Sequence, residues 1–326
     1  MKKIDYSGFD DCKDRYLEIF DLKSLQKEWK ILYNELISRR PVNSIYPINI
    51  KDIIVADFSL LNNIYLDCSN LTEDEKLAAK CIFNYDYKKS IFVGKKPLSK
   101  IKKQKTMNPL IASFFIENAE KFNITSCYYC EMNYIFPYET NKKIKRMFDL
   151  DHFFGKAECP ITALSLYNFV PSCPICNSRI KGQKKLKDFY SLKGYLNISE
   201  LAPSSPQYSF NNDVKIKIEP TKVGFISDLE KNSVVFETDS IYSSEIDAFE
   251  LKERYNSPLI KRHALLMEEL KQKWPDARIK SIVDFLIEKG ENITEKDILL
   301  SIFHEDNELD KNGIFSKLKR DILGNR

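Results

Sequence analysis

No stretch of the 326 residues approaches the roughly 18 uninterrupted apolar positions of a membrane-spanning helix, and no apolar segment follows the two lysines of MKKIDYSGFDD. The first absence argues against a helical membrane protein and the second against a secretory leader, so the expectation is a cytoplasmic chain. Internal repeats and low-complexity tracts are also missing, which excludes solenoid and tail-like architectures. Histidine is scarce, with three in the whole chain, and a net charge of +4 is too small to imply a nucleic-acid partner by itself.

What is present is ordinary globular material, 43% hydrophobic and 30% charged, enough for one large or two modest cores. Positive charge is clustered. Residues 88–105 read KKSIFVGKKPLSKIKKQK with no acid, and two shorter basic runs, KKIKR at 142–146 and RIKGQKKLK at 179–187, flank a cysteine-rich region. Each run is either a solvated face or a set of phosphate contacts that would not read sequence. Lys100, Lys102, Lys103, Lys105, Arg179 and Lys181 are the candidate contacts.

Eight cysteines in a long chain without a leader predict metal binding rather than a disulfide framework. Two CxxC pairs exist, Cys127/Cys130 and Cys173/Cys176, and a CxxC turn presents both sulfurs to one ion. Four thiolates are the ligand set of a tetrahedral structural zinc. A redox dithiol would need one pair in a strand-to-helix context. Cys12, Cys68, Cys81 and Cys159 lack such partners and are expected to be buried thiols or incidental surface residues.

Three regions follow. Residues 1–120 carry helical signals: Leu25, Trp29, Leu32 and Leu36 at helical spacing, Thr72 with Glu75 as a capping box, and Asn108 as a cap ahead of Pro109. Residues 121–195 are short on helical periodicity. Residues 196–326 begin with a linker-like LNISELAPSSPQYS. A hairpin comes next, with Val214, Ile216 and Ile218 alternating with lysines and SVVFETDSIY as partner strand, and helices follow in which Gly290 ends one and Thr294 with Asp297 caps the next. The apolar stripe of Leu265, Leu266, Leu270 and Trp274 is expected to be mostly core, with a share left for a partner.

Between and after the cysteine pairs lie FDLDHFF and YNFVPSCPICNSRIKG. In this order, CxxC, DH, N and CxxCN, the chain resembles the zinc-bearing HNH, or ββα-metal, nucleases over about 121–185. The implied fold is α+β, a zinc-stapled ββα-metal unit between mainly helical flanks. In the flanks FELKERYNSPL and SKLKRDIL look like segments of bacterial anti-phage nucleases, including Septu-type and retron-linked members that work with an ATPase partner.

Phosphodiester hydrolysis needs a base to activate water, a cation to neutralise charge and a frame that holds both in line. His152 is the natural base, since an imidazole near its usual pKa of about 6.5 can accept a proton at neutral pH. In a strand Asp151 points away from it, and is better placed to bind a metal than to orient the ring. The resemblance agrees on both roles. It also implies that Asn177 completes the metal set, which suits Mg²⁺ or Mn²⁺, and that Asn168 ties the loop between the strands. Asp149 shares the face of Asp151 and is a candidate outer support, and a helix should begin after Asn177. Tyr128, Tyr129, Tyr134, Phe136 and Tyr138 read as packing for a small metal-stapled core, with a base-stacking platform as the alternative.

The resulting expectation is a DNA endonuclease with structural Zn²⁺ and catalytic Mg²⁺ or Mn²⁺, the effector of a defence system with an ATPase subunit. A non-cleaving zinc scaffold, a stand-alone restriction endonuclease and RNA as substrate remain open alternatives.

Overall fold

The computed structural model describes residues 2–4, 7–39, 45–86, 98–141, 143–182, 208–221, 228–238, 242–303 and 313–323. Residues 196–207 of the expected linker, and 88–97, 142 and 183–187 of the basic runs, lie outside them. The described residues form an α+β arrangement of helices and three two-stranded antiparallel sheets. Two compact units are present, and neither is one continuous segment: Lys3–Ile124 with Ile135–Tyr208, and Met1–Lys2 with Thr125–Tyr134 and Ser209–Arg326.

The first unit starts with helices. In α1 (Leu22–Arg39) Leu25, Trp29, Leu32 and Leu36 fall on one face and are all buried, as the spacing requires. The Trp29 indole donates to the Pro47 carbonyl at 2.9 Å, so the largest side chain of this core is also hydrogen-bonded. Helices α2 (Ile50–Ile54) and α3 (Phe58–Cys68) are capped by the side chains of Asn49 and Asp57. The Thr72/Glu75 capping box opens α4 (Glu73–Ile82), and the buried Glu75 also accepts from Arg39 at 2.7 Å. Helix α5 (Asn108–Glu117) starts one residue earlier than the sequence suggested: Met107 holds the cap position, and Asn108 is already helical ahead of Pro109.

Two short ladders follow. Strands β1 (Pro137–Thr140) and β2 (Lys143–Arg146) form a hairpin, and β3 (Asp149–His152) pairs antiparallel with β4 (Phe169–Ser172) in the register Asp149 to Ser172 and His152 to Phe169. A widened helical segment, the π-helix Ile175–Lys181, comes directly after β4. Gly182 ends it by donating to the Asn177 carbonyl at 2.8 Å with φ of 54°, a conformation that favours glycine.

In the second unit β5 (Lys215–Pro220) pairs with β6 (Asn232–Glu237), burying Ile216 while Lys215 and Lys217 face solvent. Helices α6 (Tyr242–Ala248), α7 (Leu251–Tyr255), α8 (Pro258–Lys273), α9 (Asp276–Glu288), α10 (Glu295–Phe303) and α11 (Ser316–Leu323) complete it. Gly290 follows α9 with φ of 86°, and Asp297 and Thr294 bond reciprocally at the start of α10. On α8 Leu265 is buried but Leu266 is 50% exposed, so the predicted stripe is core on one side only.

Because Trp29 is fully buried and hydrogen-bonded, Trp29→Ala should cost about 3–5 kcal/mol of unfolding free energy. Urea denaturation followed by circular dichroism measures it. A loss below about 1 kcal/mol would mean that α1 is not the centre of this core.

Candidate metal and catalytic centre

The sulfurs of Cys127, Cys130, Cys173 and Cys176 lie within 4.8 Å of one another, and all four residues are buried. Zn–S bonds of about 2.3 Å place tetrahedral sulfurs a little under 4 Å apart, so a small contraction would close the set around one ion. These residues therefore fit a metal such as zinc. Local backbone shapes each pair. Asn177 N–H donates to the Cys173 carbonyl at 3.0 Å, and the Cys176 amide points at the Cys173 sulfur at 3.5 Å. In the other pair Glu131 N–H donates to the Cys127 carbonyl at 2.9 Å, and Asn133 donates to the Cys130 sulfur at 3.8 Å.

Glu131 is a residue that the sequence did not flag. Its backbone adopts φ of 53°, and its buried carboxylate accepts from the Ser316 hydroxyl and the Lys317 amide at 2.8 and 2.9 Å, capping α11 from a distance. Burial pushes this carboxyl up, but the Lys317 amide, Lys2 and Ser316 are among the groups that hold it down at about 2. The Tyr255 hydroxyl donates to the Cys130 carbonyl at 3.0 Å, so the same turn is tied to α7. Only the tertiary fold brings residues 131, 255 and 316 together.

The β3–β4 pair is closed by Asn168, which is fully buried. Its amide nitrogen donates to the carbonyls of Phe154 and Thr162, each at 3.0 Å, and its oxygen accepts from Phe154 N–H at 2.8 Å. The loop 153–168 is thus stapled at two points. It is further held by the Tyr16 hydroxyl on the Leu164 carbonyl and by the Ser165 hydroxyl on the Ile53 carbonyl.

That loop fixes His152. Its Nε2 lies 3.0 Å from the Ala163 carbonyl, an acceptor only, so Nε2 carries the proton and Nδ1 is the basic position. The ring meets Tyr85 edge-on and lies against Phe169. The environment differs from the sequence expectation of an ordinary imidazole. Burial, then the positive charge of Lys156, push its pKa down to about 3, with Lys181 adding to the effect and the Ala163 carbonyl opposing it.

Asp149 and Asp151, two apart on β3, meet residues four apart on the π-helix. Asn177 donates to Asp149 Oδ2 at 3.2 Å, with the Ser178 hydroxyl at 3.4 Å, and Lys181 donates to Asp151 Oδ2 at 2.5 Å and to the His152 carbonyl at 2.7 Å. Carboxylate oxygens suit a hard divalent ion, whereas the Asn177 amide turns its nitrogen, not its oxygen, to Asp149. The sequence pairs Asp151 with Asn177 and puts Lys181 on a phosphate-facing surface; here Asn177 bonds Asp149, and Lys181 is buried against Asp151. Arg179, Lys100, Lys102, Lys103 and Lys105 are exposed.

Among the aromatic residues around the first cysteine pair, Tyr128 and Tyr129 are buried, whereas Tyr134, Phe136 and Tyr138 are 53%, 41% and 40% exposed. The packing expectation therefore holds for two of the five. Arg146, at the end of β2, has a buried Nη1 with no hydrogen-bond partner among the described residues. One expectation is corrected: Cys68 and Cys159 are not separate thiols but are joined in a disulfide, with Cα atoms 5.4 Å apart. A separation of 91 residues hides this pairing in the sequence, and packing of α3 against the 153–168 loop creates it.

Two predictions follow from these geometries. Purified protein should carry about one zinc per chain, and Cys173→Ser should lower both zinc content and melting temperature, because structural zinc binding is largely folding energy. Elemental analysis that finds no zinc in untreated, folded protein would remove this centre. For His152 the folded pKa lies below the unfolded value of about 6.5, so the unfolded chain binds more protons and stability falls as pH drops from about 6.5 toward about 3. Its ring resonances in NMR should not titrate between about pH 5 and 8, whereas Asn168→Ala, which frees the loop, should bring titration back into that range and cost about 2–4 kcal/mol. Compared with protein-family models, curated proteins and solved structures, the chain matches none.

Proposed function

We propose that the chain is a metal-dependent HNH-type endonuclease that hydrolyses phosphodiester bonds in DNA. The observation that carries this reading is His152: an imidazole at a strand end, with Nε2 committed to the Ala163 carbonyl and Nδ1 left as its basic nitrogen, in a loop clamped by Asn168. The carboxylates of Asp149 and Asp151, two apart on β3 and both turned to the π-helix, support the same reading. When bound there, Mg²⁺ or Mn²⁺ supplies charge neutralisation at the phosphate and the leaving oxygen.

The chain's own groups do the rest. At pH 7 an imidazole with a pKa of about 3 is deprotonated but weakly basic. A phosphodiester anion would offset the lesser cause of that shift, the positive charges of Lys156 and Lys181, but not the larger one, burial. Arg146 Nη1, a donor without a hydrogen-bond partner among the described residues, is suited to a phosphate oxygen, and exposed Lys145 on the same hairpin extends positive charge outward. Exposed Phe136 and Tyr138 offer stacking surface to unpaired bases.

A defence effector acting with an ATPase is the biological setting that the flanking segments suggest. Exposed Leu259, Leu266, Phe285 and Ile287 on α8 and α9 support a protein partner. The Lys181–Asp151 ion pair favours a second reading, a zinc scaffold that no longer cuts, because a cation of the chain already sits on the metal-facing acid.

Cleavage of supercoiled plasmid across a Mg²⁺ and Mn²⁺ titration separates the two. Wild type, with its partner where required, should nick DNA, and His152→Ala should lose at least about a hundredfold in rate with zinc content unchanged. Asp151→Ala and Asn177→Ala should be partly rescued by high Mn²⁺. Equal cleavage by His152→Ala and wild type would remove His152 as the base, and no cleavage by wild type at any metal concentration would leave the scaffold reading.

A further inference from the structure

The Lys181 side chain is the least expected feature of this face. It and the Asp151 side chain are 8% and 9% exposed, and the ammonium bridges Asp151 Oδ2 at 2.5 Å and the His152 carbonyl at 2.7 Å. Burying an ammonium and a carboxylate together costs several kcal/mol of lost hydration per ion, and as a stabilising device the pair is often no better than an apolar one. A lysine used only as a spacer would keep its charged end in water. The ammonium instead sits between a carboxylate and a carbonyl oxygen, the donor types that a hard divalent cation takes. It is delivered there by the last turn of the π-helix, the same segment whose Asn177 bonds the neighbouring acid, Asp149.

We propose that Lys181 is an internal cation that occupies a divalent-ion position between Asp151 Oδ2 and the His152 carbonyl, and that it must be displaced for that ion to bind. The inference rests on reading this face as the place of the catalytic ion. An ammonium and a divalent ion cannot share Asp151 Oδ2 at contact distance, because like charges that close repel strongly in a poorly solvated site. The resting chain is thereby kept at low metal affinity without leaving a buried carboxylate unneutralised. Displacement also puts the freed ammonium beside the ion, where it is available to a phosphate oxygen. The segment is suited to such a movement: Lys181 is its final residue, and Gly182 follows with a positive φ.

The test measures Mn²⁺ binding to the full-length, zinc-loaded protein by the loss of the free-ion electron paramagnetic resonance signal. Lys181→Gln keeps a donor for the His152 carbonyl but removes the charge, so it should bind Mn²⁺ at least about tenfold more tightly than wild type and gain more melting temperature on Mn²⁺ addition. Lys181→Arg, which keeps the charge, should bind no better than wild type. Unchanged or weaker binding by Lys181→Gln, or no bound Mn²⁺ in either protein, overturns the proposal. A second measurement needs no variant: amine acetylation of wild-type protein, read by mass spectrometry, should label Lys181 more heavily when Mn²⁺ is saturating, and equal labelling with and without Mn²⁺ also overturns it. Both readouts are independent of plasmid cleavage. A protein that binds Mn²⁺ as described but never cuts keeps Lys181 as the internal cation and loses the nuclease reading; one that cuts while Lys181→Gln binds no better loses the internal cation alone.

Discussion

Around the side chain of Asn168 the antiparallel pair β3–β4 becomes a site rather than two short strands. Four-residue strands carry few ladder bonds, and a 16-residue connection between them would be costly to order on its own. One buried amide, spending its donors and its acceptor on Phe154 and Thr162, folds that connection back on itself. The Ala163 carbonyl is then delivered to His152, and the ring tautomer is decided by a backbone oxygen 11 residues away in sequence. The contacts from Tyr16 and Ser165 show why the helices around this pair are needed: they hold the outer side of the same loop.

On this face each acid of β3 has its own partner from the π-helix. Two acids two residues apart on β3 meet an amide and an ammonium four residues apart on the π-helix. The surrounding positive charges of Lys156 and Lys181, with burial, keep His152 neutral. In the proposed reaction the imidazole must be deprotonated to accept a proton, and burial first, then the charge of Lys156, keeps it so.

The cysteine centre is a separate constraint with its own supports. Each CxxC turn is shaped by hydrogen bonds from the residues beside it, and the Cys127–Cys130 turn is further anchored by Glu131 and Tyr255. A buried carboxylate at a positive φ, accepting from the first residues of α11, is a specific arrangement with no local sequence motif behind it. It couples the shape of a thiolate turn to a helix almost two hundred residues later.

How much could be read in advance depended on the range of the interaction. Helix faces, the Thr72/Glu75 capping box, the β5–β6 hairpin and the paired CxxC turns are set by spacings of two to four residues, and a short-range code is visible in one dimension. The paired spacing of Cys127, Cys130, Cys173 and Cys176 also anticipated their buried cluster, because each CxxC turn brings two sulfurs to one side. The sequence could not show which acid each helical residue would meet. Nor could it show that Lys181 is buried, that Cys68 and Cys159 are bonded, or that Glu131 caps α11. Those depend on which surfaces pack and which charges lose water, and such pairings span from tens of residues to 186, so only the folded chain decides them.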